Sequence, residues 1–434
     1  MKNILKLIVT GILGLVARAV IRRYEPRIVM VSGSVGKTST KDAVAAVLST
    51  RFFVRKSEKS FNSEWGVPFT ILGVKNPWHN PLAWGSIIKR SFTLLFLPNH
   101  YPNMLVLEVG ADKRGDLSRI LRIATPHAVV ITRLPEIPVH VEAYTSPEEV
   151  REEEFSPAYA LPPAAPLIIP ADDPYARNNA ARIPARVMSY GVESDADVRV
   201  SGVDFYESEG KVAGMQARVR VGEEEGDIIA NNSVGITQLL PIAAALAVAQ
   251  ALAIPLDEAL TALKSYEPPP GRGRLLRGKN GSIIIDDSYN SSPAAAEEAL
   301  ATLKTFPRAK RPSAAEATKG RRIAVLGDML ELGRYSVTEH ERIGVLADES
   351  ADLVVAVGIR AKTFAGAFKK SEGMLFDSSR SAALALPSLI REGDVILVKG
   401  SQSVRTERIV EALLANPSDA SLLVRQEPEW KRRL

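Results

Sequence analysis

Short apolar runs alternate with helix-compatible stretches through the first 170 residues of the chain. Arg27 to Val31, Met104 to Leu107, Ala128 to Ile131 and Pro166 to Ile169 are each four or five residues of nearly continuous hydrophobicity. Runs of that kind predict strands buried on both faces, as in a largely parallel sheet. Each ends in small or polar residues: Ser32-Gly33, Glu108-Val109-Gly110, Thr132-Arg133 and Pro170-Ala171-Asp172-Asp173. Ligands gather at that carboxyl edge of an open α/β sheet. Asp197 to Ile229 changes period and alternates apolar with polar residues, which predicts a small antiparallel insertion. Gln238 to Ile254 is alanine-rich and helical, and Glu267-Pro268-Pro269-Pro270-Gly271 breaks the chain at a domain boundary. A second α/β pattern follows, with strands predicted at Ser282–Ile285, Arg322–Leu326, Leu353–Val357 and Val395–Val398. Arg308 to Gly320 is small, charged and turn-rich, and predicts an exposed loop.

The N-terminus departs from this rhythm. Ile4 to Ile21 is apolar but interrupted by Lys6 and Arg18, and the uncharged stretch between them, Leu7 to Ala17, is too short to span a bilayer. It lacks a small-residue cleavage site. Two readings stand: a helix packed on the protein's own surface, or an interfacial helix on an anionic cytoplasmic leaflet, flanked by Arg18, Arg22 and Arg23. Pro81 to Pro98, rich in Trp, Phe and Leu, fits core, a substrate lid or a second membrane-touching surface.

Composition narrows the class. At 434 residues the chain is too long for one ordinary core. Its 55 basic and 50 acidic residues include no long basic block, so nucleic acid is not an expected partner. With no cysteine, disulfides, thiolate metal sites and cysteine nucleophiles are excluded, and a reducing cytoplasm is permitted.

The chemistry begins at Val31 to Thr40, VSGSVGKTST, between the first strand and a helix-compatible segment. Strand, glycine-rich turn and helix in that order make a phosphate cradle. Gly33 and Gly36 let the backbone N–H groups of Gly33, Ser34, Val35, Gly36, Lys37, Thr38 and Ser39 close on phosphate, Lys37 reaches the β- and γ-phosphates, and the Thr38 hydroxyl suits Mg²⁺. The strict phosphate-loop pattern would place Gly where Val31 stands. Glu108, at the end of a strand with Gly110 behind it, fits a second Mg²⁺-holding group or a solvated charge. His140 alone carries little weight. Arg272, between glycines at the domain junction, can clamp phosphate across a cleft or serve as a linker charge. Asp286 to Pro293, DDSYNSSP, suits ribose or base contacts or an ordinary turn.

Together these motifs resemble the Mur ligase family, over roughly Ile28 to Leu414. VSGSVGKTSTK is similar to the family's phosphate loop. Lys59 to Pro68 resembles its Asn-Asn-Glu-x-Gly-Val-Pro segment, keeping Asn62, Glu64, Gly66 and Pro68. LEVGADKRGDL and VHVEAYTSPEEV resemble the stretches carrying the metal-binding glutamate and histidine, here Glu108 and His140. PPGRGRLL and IIIDDSYNSSP place Arg272, Asp287, Tyr289 and Asn290 in ATP-contacting positions. IAVLGDMLELGRYSVTEHERIG and VILVKGSQSVRTERIV resemble the branch that adds D-alanyl-D-alanine.

The resemblance implies a phosphate-loop central domain (27–267) with a mostly parallel sheet and a C-terminal Rossmann-like α/β domain (268–434), preceded by an apolar helix (1–26). It implies ATP and Mg²⁺ as cofactors, with Lys37, Glu108, His140 and Arg272 catalytic and Thr38, Glu108 and His140 at the metals. The expected reaction is ATP-dependent peptide-bond formation on a peptidoglycan precursor through an acyl phosphate, in the cytoplasm, by a monomer. Three departures stand out. Family members normally begin with a UDP-gripping domain, whereas about 26 residues precede the phosphate strand here. The position of the family's carbamoylated lysine falls at Glu154, a carboxylate in the same role or a solvated acidic face. The usual His-Asn-x-x-Asn appears as Thr237-Gln238-Leu239-Leu240-Pro241. They keep two alternatives open: a related amide ligase acting on an acceptor without UDP, and an inactive nucleotide-binding scaffold at the membrane.

Overall fold

The apolar runs become the central strands of two sheets. The protein is described by a computed structural model over residues 2–58, 61–77, 80–192, 195–308 and 320–432. Lys59 and Ser60 of the Lys59–Pro68 motif, and residues 309–319 of the turn-rich loop expected at Arg308 to Gly320, lie outside the described residues. The first sheet holds β1 (Arg27–Ser32), β2 (Val54–Lys56), β3 (Met104–Glu108), β4 (Ala128–Ile131), β5 (Pro166–Pro170), β6 (Arg186–Gly191), β7 (Val198–Ser208), β8 (Lys211–Val221) and β9 (Glu224–Asn231). Their order is β2-β3-β1-β4-β5-β6-β7-β8-β9. Pairing is parallel from β2 to β7 and antiparallel from β7 to β9. The alternating stretch is therefore antiparallel, as its period predicts, but it continues the sheet instead of forming a separate layer. Tyr190 pairs with Val198, and buried Val198 and Val200 carry the core outward along β7.

Strand β1 shows why these runs are apolar throughout. Ile28 and Met30 face a core shared with Leu105, Leu107, Val129 and Ile131. Val29 and Val31 face the opposite core, against Val44, Val47 and Leu48 of α2. Helix α1 (Lys2–Tyr24) joins the first of these cores, with α2 (Lys37–Leu48), α3 (Gly66–Leu72), α4 (Pro81–Phe96), α5 (Asp116–Ile123) and α6 (Pro147–Phe155) following in the chain. Leu13, Ala17 and Val20 bury one stripe of α1 beside Ile87 and Leu94 of α4. The i, i+4, i+7 spacing makes that stripe. The Ile236–Ala251 helix covers the other sheet face against α2, where its alanines allow close approach. Among the described residues, no helix is long and apolar enough to cross a membrane.

The second sheet runs β10-β11-β15-β12-β13-β14, where β10 is Arg274–Arg277, β11 Ile283–Asp287, β12 Arg322–Gly327, β13 Leu353–Val357, β14 Glu372–Phe376 and β15 Val395–Lys399. Only the β10–β11 pair is antiparallel. The four predicted strands form its middle. Edge strands β10 and β14 escape the pattern because each buries little: RLLR and EGMLF have no continuous apolar run.

Candidate active site

Register sets the first half of the site. β1 lies between β3 and β4, so Val31 stands beside Glu108 and Ser32 beside Ile131. The loop leaving β1 thus emerges where two other strands end. Gly33 must be glycine: its φ is 119°, and a Cβ there would sit 2.4 Å from Thr132 Oγ1. The loop amides of Ser34 and Val35 donate to the Arg133 carbonyl, at 3.0 and 3.3 Å. That leaves the main-chain N–H groups at the start of α2 available to an anion, since its N-cap residue is Gly36 and no side chain caps it.

Charge then concentrates at this helix start. Thr38 Oγ1 donates to Glu108 Oε1 at 3.1 Å. Glu108 Oε2 has no hydrogen-bond partner among the described residues, and Lys41 Nζ stands 3.9 Å from it. Burial raises the Glu108 pKa, while Lys41, Lys37 and Arg272 draw it back down. A hydroxyl and a half-satisfied carboxylate side by side fit a magnesium ion, which takes one or two protein oxygens and leaves the rest to water and phosphate. Asn62 adjoins them: its Nδ2 and Lys37 Cε both crowd Gly110.

Glu154 goes elsewhere than its sequence position implies. Its carboxylate accepts the Ser34 hydroxyl and pairs with Lys37 Nζ at 3.5 Å. The Ser32 hydroxyl donates to its main-chain oxygen at 2.5 Å. Lys37 Nζ also donates to the Gly33 carbonyl. Among the described residues no three His, Asp or Glu side chains converge on one point, so Glu108, His140 and Glu154 form no common ligand set. The reason is reach: the shorter glutamate at position 154 stops at the loop, in contact with Lys37.

His140 sits in the left-handed region, φ 65°, and turns its ring toward the other sheet. Its Nδ1 lies 2.8 Å from Glu331 Oε2, and its Nε2 3.7 Å from Asp112 Oδ1. Burial alone would lower the imidazole pKa, but the Glu331 hydrogen bond and charge outweigh it and the net direction is upward.

The second half of the site comes from the β10–β11 side. Gly271 (φ 69°) leaves no room for a Cβ against Tyr289 N at 3.0 Å, and the Tyr289 N–H donates to the Gly271 carbonyl. That turn sets the Arg272 guanidinium over the Tyr289 ring, 4.2 Å from its centroid. Lys399, at the end of β15, pairs with Asp287 at 2.7 Å and donates to the Asn290 carbonyl at 3.1 Å. The two halves face each other across one cleft. Ser34, Gly36, Lys37, Thr38, Asn62, Glu108 and His140 line it opposite Arg272, Tyr289 and Asn290. Val35, Ser39 and Asp287 line an adjoining pocket of about 70 Å³, with Arg272 and Asn290 again present. Gly33 and Glu154 line neither part.

Sequence reasoning missed Lys399, Glu331, Asp112 and Arg425. Lys399 carried a signal, a lysine closing a run of four apolar residues at a parallel strand's carboxyl end. Glu331 carried none: only the approach of the two sheets brings it to His140. Arg425 donates to the main-chain oxygens of Ser288 and Tyr289 and pairs with Glu407, buried support that no local pattern announces.

A glycine-rich loop at the carboxyl edge of one mostly parallel sheet faces a second, Rossmann-like sheet across a shared cleft. The family model of the Mur ligase middle domain matches residues 31–249, and that of the Mur ligase glutamate ligase domain matches 271–402. The chain belongs to the Mur ligase family. It is 26% identical over 415 residues to the UDP-N-acetylmuramoyl-tripeptide--D-alanyl-D-alanine ligase of Bacillus subtilis, covering 92% of this chain and 79% of that protein. The enzyme of the same name from Mycobacterium bovis is 29% identical, covering 91% and 74%. The crystal structure of a Thermotoga maritima MurF ligase in complex with ADP superposes with a TM-score of 0.73 at 25% identity, covering 93% of this chain and 83% of that one.

Proposed function

We propose that this chain is an ATP-dependent ligase that joins D-alanyl-D-alanine to a UDP-muramoyl-tripeptide-like acceptor. The observation that carries the reading is the pairing of Thr38 with Glu108, whose second carboxylate oxygen lacks a hydrogen-bond partner, at the uncapped start of α2 and in one cleft with Arg272. The relatives' names supply the substrates. In this reading 27–267 is the nucleotide-binding half, 268–434 closes over it, and 1–26 is a helix laid on the first half.

The chemistry runs in two steps. A carboxylate oxygen of the acceptor attacks the γ-phosphorus, the bond to the β–γ bridging oxygen breaks, and ADP leaves with an acyl phosphate behind. The dipeptide amine then attacks the acyl carbon, loses a proton, and expels inorganic phosphate. Main-chain N–H groups of Gly36, Lys37, Thr38 and Ser39 hold the phosphates, and the Lys37 ammonium and Arg272 guanidinium offset the charge spread over the transferring group. Thr38 and Glu108 would hold a magnesium ion, which would supply charge neutralisation to the bound phosphates. Asn62 and His140 line the cleft beside Lys37, and Asp287, Tyr289 and Asn290 fit the nucleoside. Closure keeps water from the acyl phosphate. The need for ATP supports a reaction on the cytoplasmic side.

The test is phosphate release with ATP and Mg²⁺, offering UDP-muramoyl tripeptide and D-alanyl-D-alanine singly and together. Release that needs both and disappears in Lys37→Ala is the expected result. Nucleotide binding without release under either condition sinks the reaction.

A further inference from the structure

We infer that the outer faces of α1 and α4 form one docking surface for an anionic lipid bilayer. The two helices bury their inner stripes in the same core on the same side of the first sheet, so their opposite faces look away from that sheet together. They are tied at one end: Arg23 Nη1 donates to the Leu95 carbonyl at 2.6 Å, and the Tyr24 hydroxyl to the Leu94 carbonyl at 2.9 Å. What they leave outside is apolar. Ile12 and Leu15 of α1 and Ile88, Phe92 and Phe96 of α4 are each more than half exposed, and Phe92 and Phe96 touch, ring centroids 4.8 Å apart. A contiguous exposed apolar patch of side chains this large marks an interaction surface.

Charge says what covers them. Residues 1–24 and 73–103 hold eight of the 55 basic residues and none of the 50 acidic ones. The rest of the chain is close to neutral, so the basic excess belongs to these two stretches. Arg18, Arg22 and Lys89 are exposed beside the apolar side chains. A second copy of this chain would oppose like charge to like, whereas an anionic leaflet offers the complement. Apolar side chains sunk into the headgroup boundary with arginine and lysine at its rim is the arrangement of an interfacial helix pair. No helix among the described residues is suited to crossing, so contact is with one leaflet. The surface goes beyond the ligase reading and stands whichever acceptor the cleft takes.

Co-sedimentation of the full chain with phosphatidylglycerol-containing vesicles, against phosphatidylcholine alone, tests this. Binding to the anionic vesicles only, weakening with added salt, is expected. Each basic side chain at such a surface changes partitioning about fivefold, so the triple variant Arg18→Glu, Arg22→Glu, Lys89→Glu should lose at least about a hundredfold. Phe92→Ser with Phe96→Ser should lose a comparable factor. ADP binding and the unfolding midpoint control for folding, and the charge triple keeps the test valid if the phenylalanine pair misfolds. The inference is overturned by equal binding to both vesicle types, by no binding, or by variants that bind as well as the parent. Self-association that the Phe92/Phe96 variant abolishes, without vesicle binding, overturns it in favour of a second copy.

Discussion

Glu154→Gln isolates what a buried carboxylate does to the phosphate loop. Glu154 is 1% exposed, accepts from Ser34, and lies 3.5 Å from the Lys37 ammonium. Opposite charges at that separation attract by about 5 kcal/mol at an effective dielectric constant of about 20. Removing a carboxylate this deeply from water offsets most of that, leaving a surplus of about 1–2 kcal/mol. Lys37 must give up the surplus to turn toward the β- and γ-phosphates, and the Glu154 charge repels those phosphates as well. Glutamine keeps an acceptor for Ser34 and removes the charge. ADP binding should therefore tighten about tenfold. Isothermal titration calorimetry with ADP, with and without Mg²⁺, reads the change directly. Unchanged or weakened affinity without Mg²⁺ refutes the reasoning. If Glu154 instead serves an ion, the variant will show no tightening and will need more Mg²⁺ for half-maximal phosphate release.

Three further outcomes are expected. Arg272→Lys keeps the charge but loses both the planar fork and the stacking on Tyr289, so phosphate release should fall about 10- to 100-fold; retained activity would show that a point charge suffices. Burial pushes the Asp286 carboxyl up to about 6, so the folded state holds its proton more tightly than the unfolded state, and this group's effect on stability worsens as pH rises from near 4 through 6. Asp286→Asn, which still accepts from Ser288, should gain about 1–2 kcal/mol more over the parent at pH 8 than at pH 5 in urea unfolding, and an equal gain at both pH values would contradict the assignment. The His140–Glu331 pair raises the histidine and lowers the glutamate, so its contribution is present between their ranges, fades as pH rises through the elevated His140 value above 6.5, and fades again as pH falls through the depressed Glu331 value below 4.5. In urea unfolding, the stability lost in Glu331→Gln should therefore be largest near pH 6 and shrink toward pH 9; an equal loss at both pH values would contradict the assignment.

Legibility followed burial and locality. The phosphate loop could be read because strand, glycine turn and helix are contiguous, and one register step places Glu108 beside Val31. The central strands could be read because burial on both faces demands unbroken apolar runs. Strands β10 and β14 could not, since an edge strand needs no such run. Glu154 shows the limit of motif spacing: spacing alone pointed to a ligand position, but side-chain length and the neighbouring Lys37 decide where the carboxylate goes. Likewise, α1 gave two readings because its sequence is apolar nearly all round. Only contact with α3, α4 and α5 divides it into a buried stripe and an exposed one.

The same distances argue that the cleft is made to open. Across its rim the ion pairs between the two halves are His140–Glu331 and Arg133–Glu298, beside the Phe205–Phe306 ring contact among the described residues. In each pair at least one side chain is more than 40% exposed, and such pairs contribute at most about 1 kcal/mol each. Ion pairs of that size add little to hold the two domains together when a nucleotide and two substrates enter. The charges inside are arranged the other way. Lys37 belongs to the first half and Arg272 to the second, and a triphosphate between them would meet both. Desolvated contacts between phosphate and cations are worth more than the exposed pairs outside them. Closure should therefore be driven by the bound nucleotide and released with ADP and phosphate, and the weak rim is what allows each turnover to end.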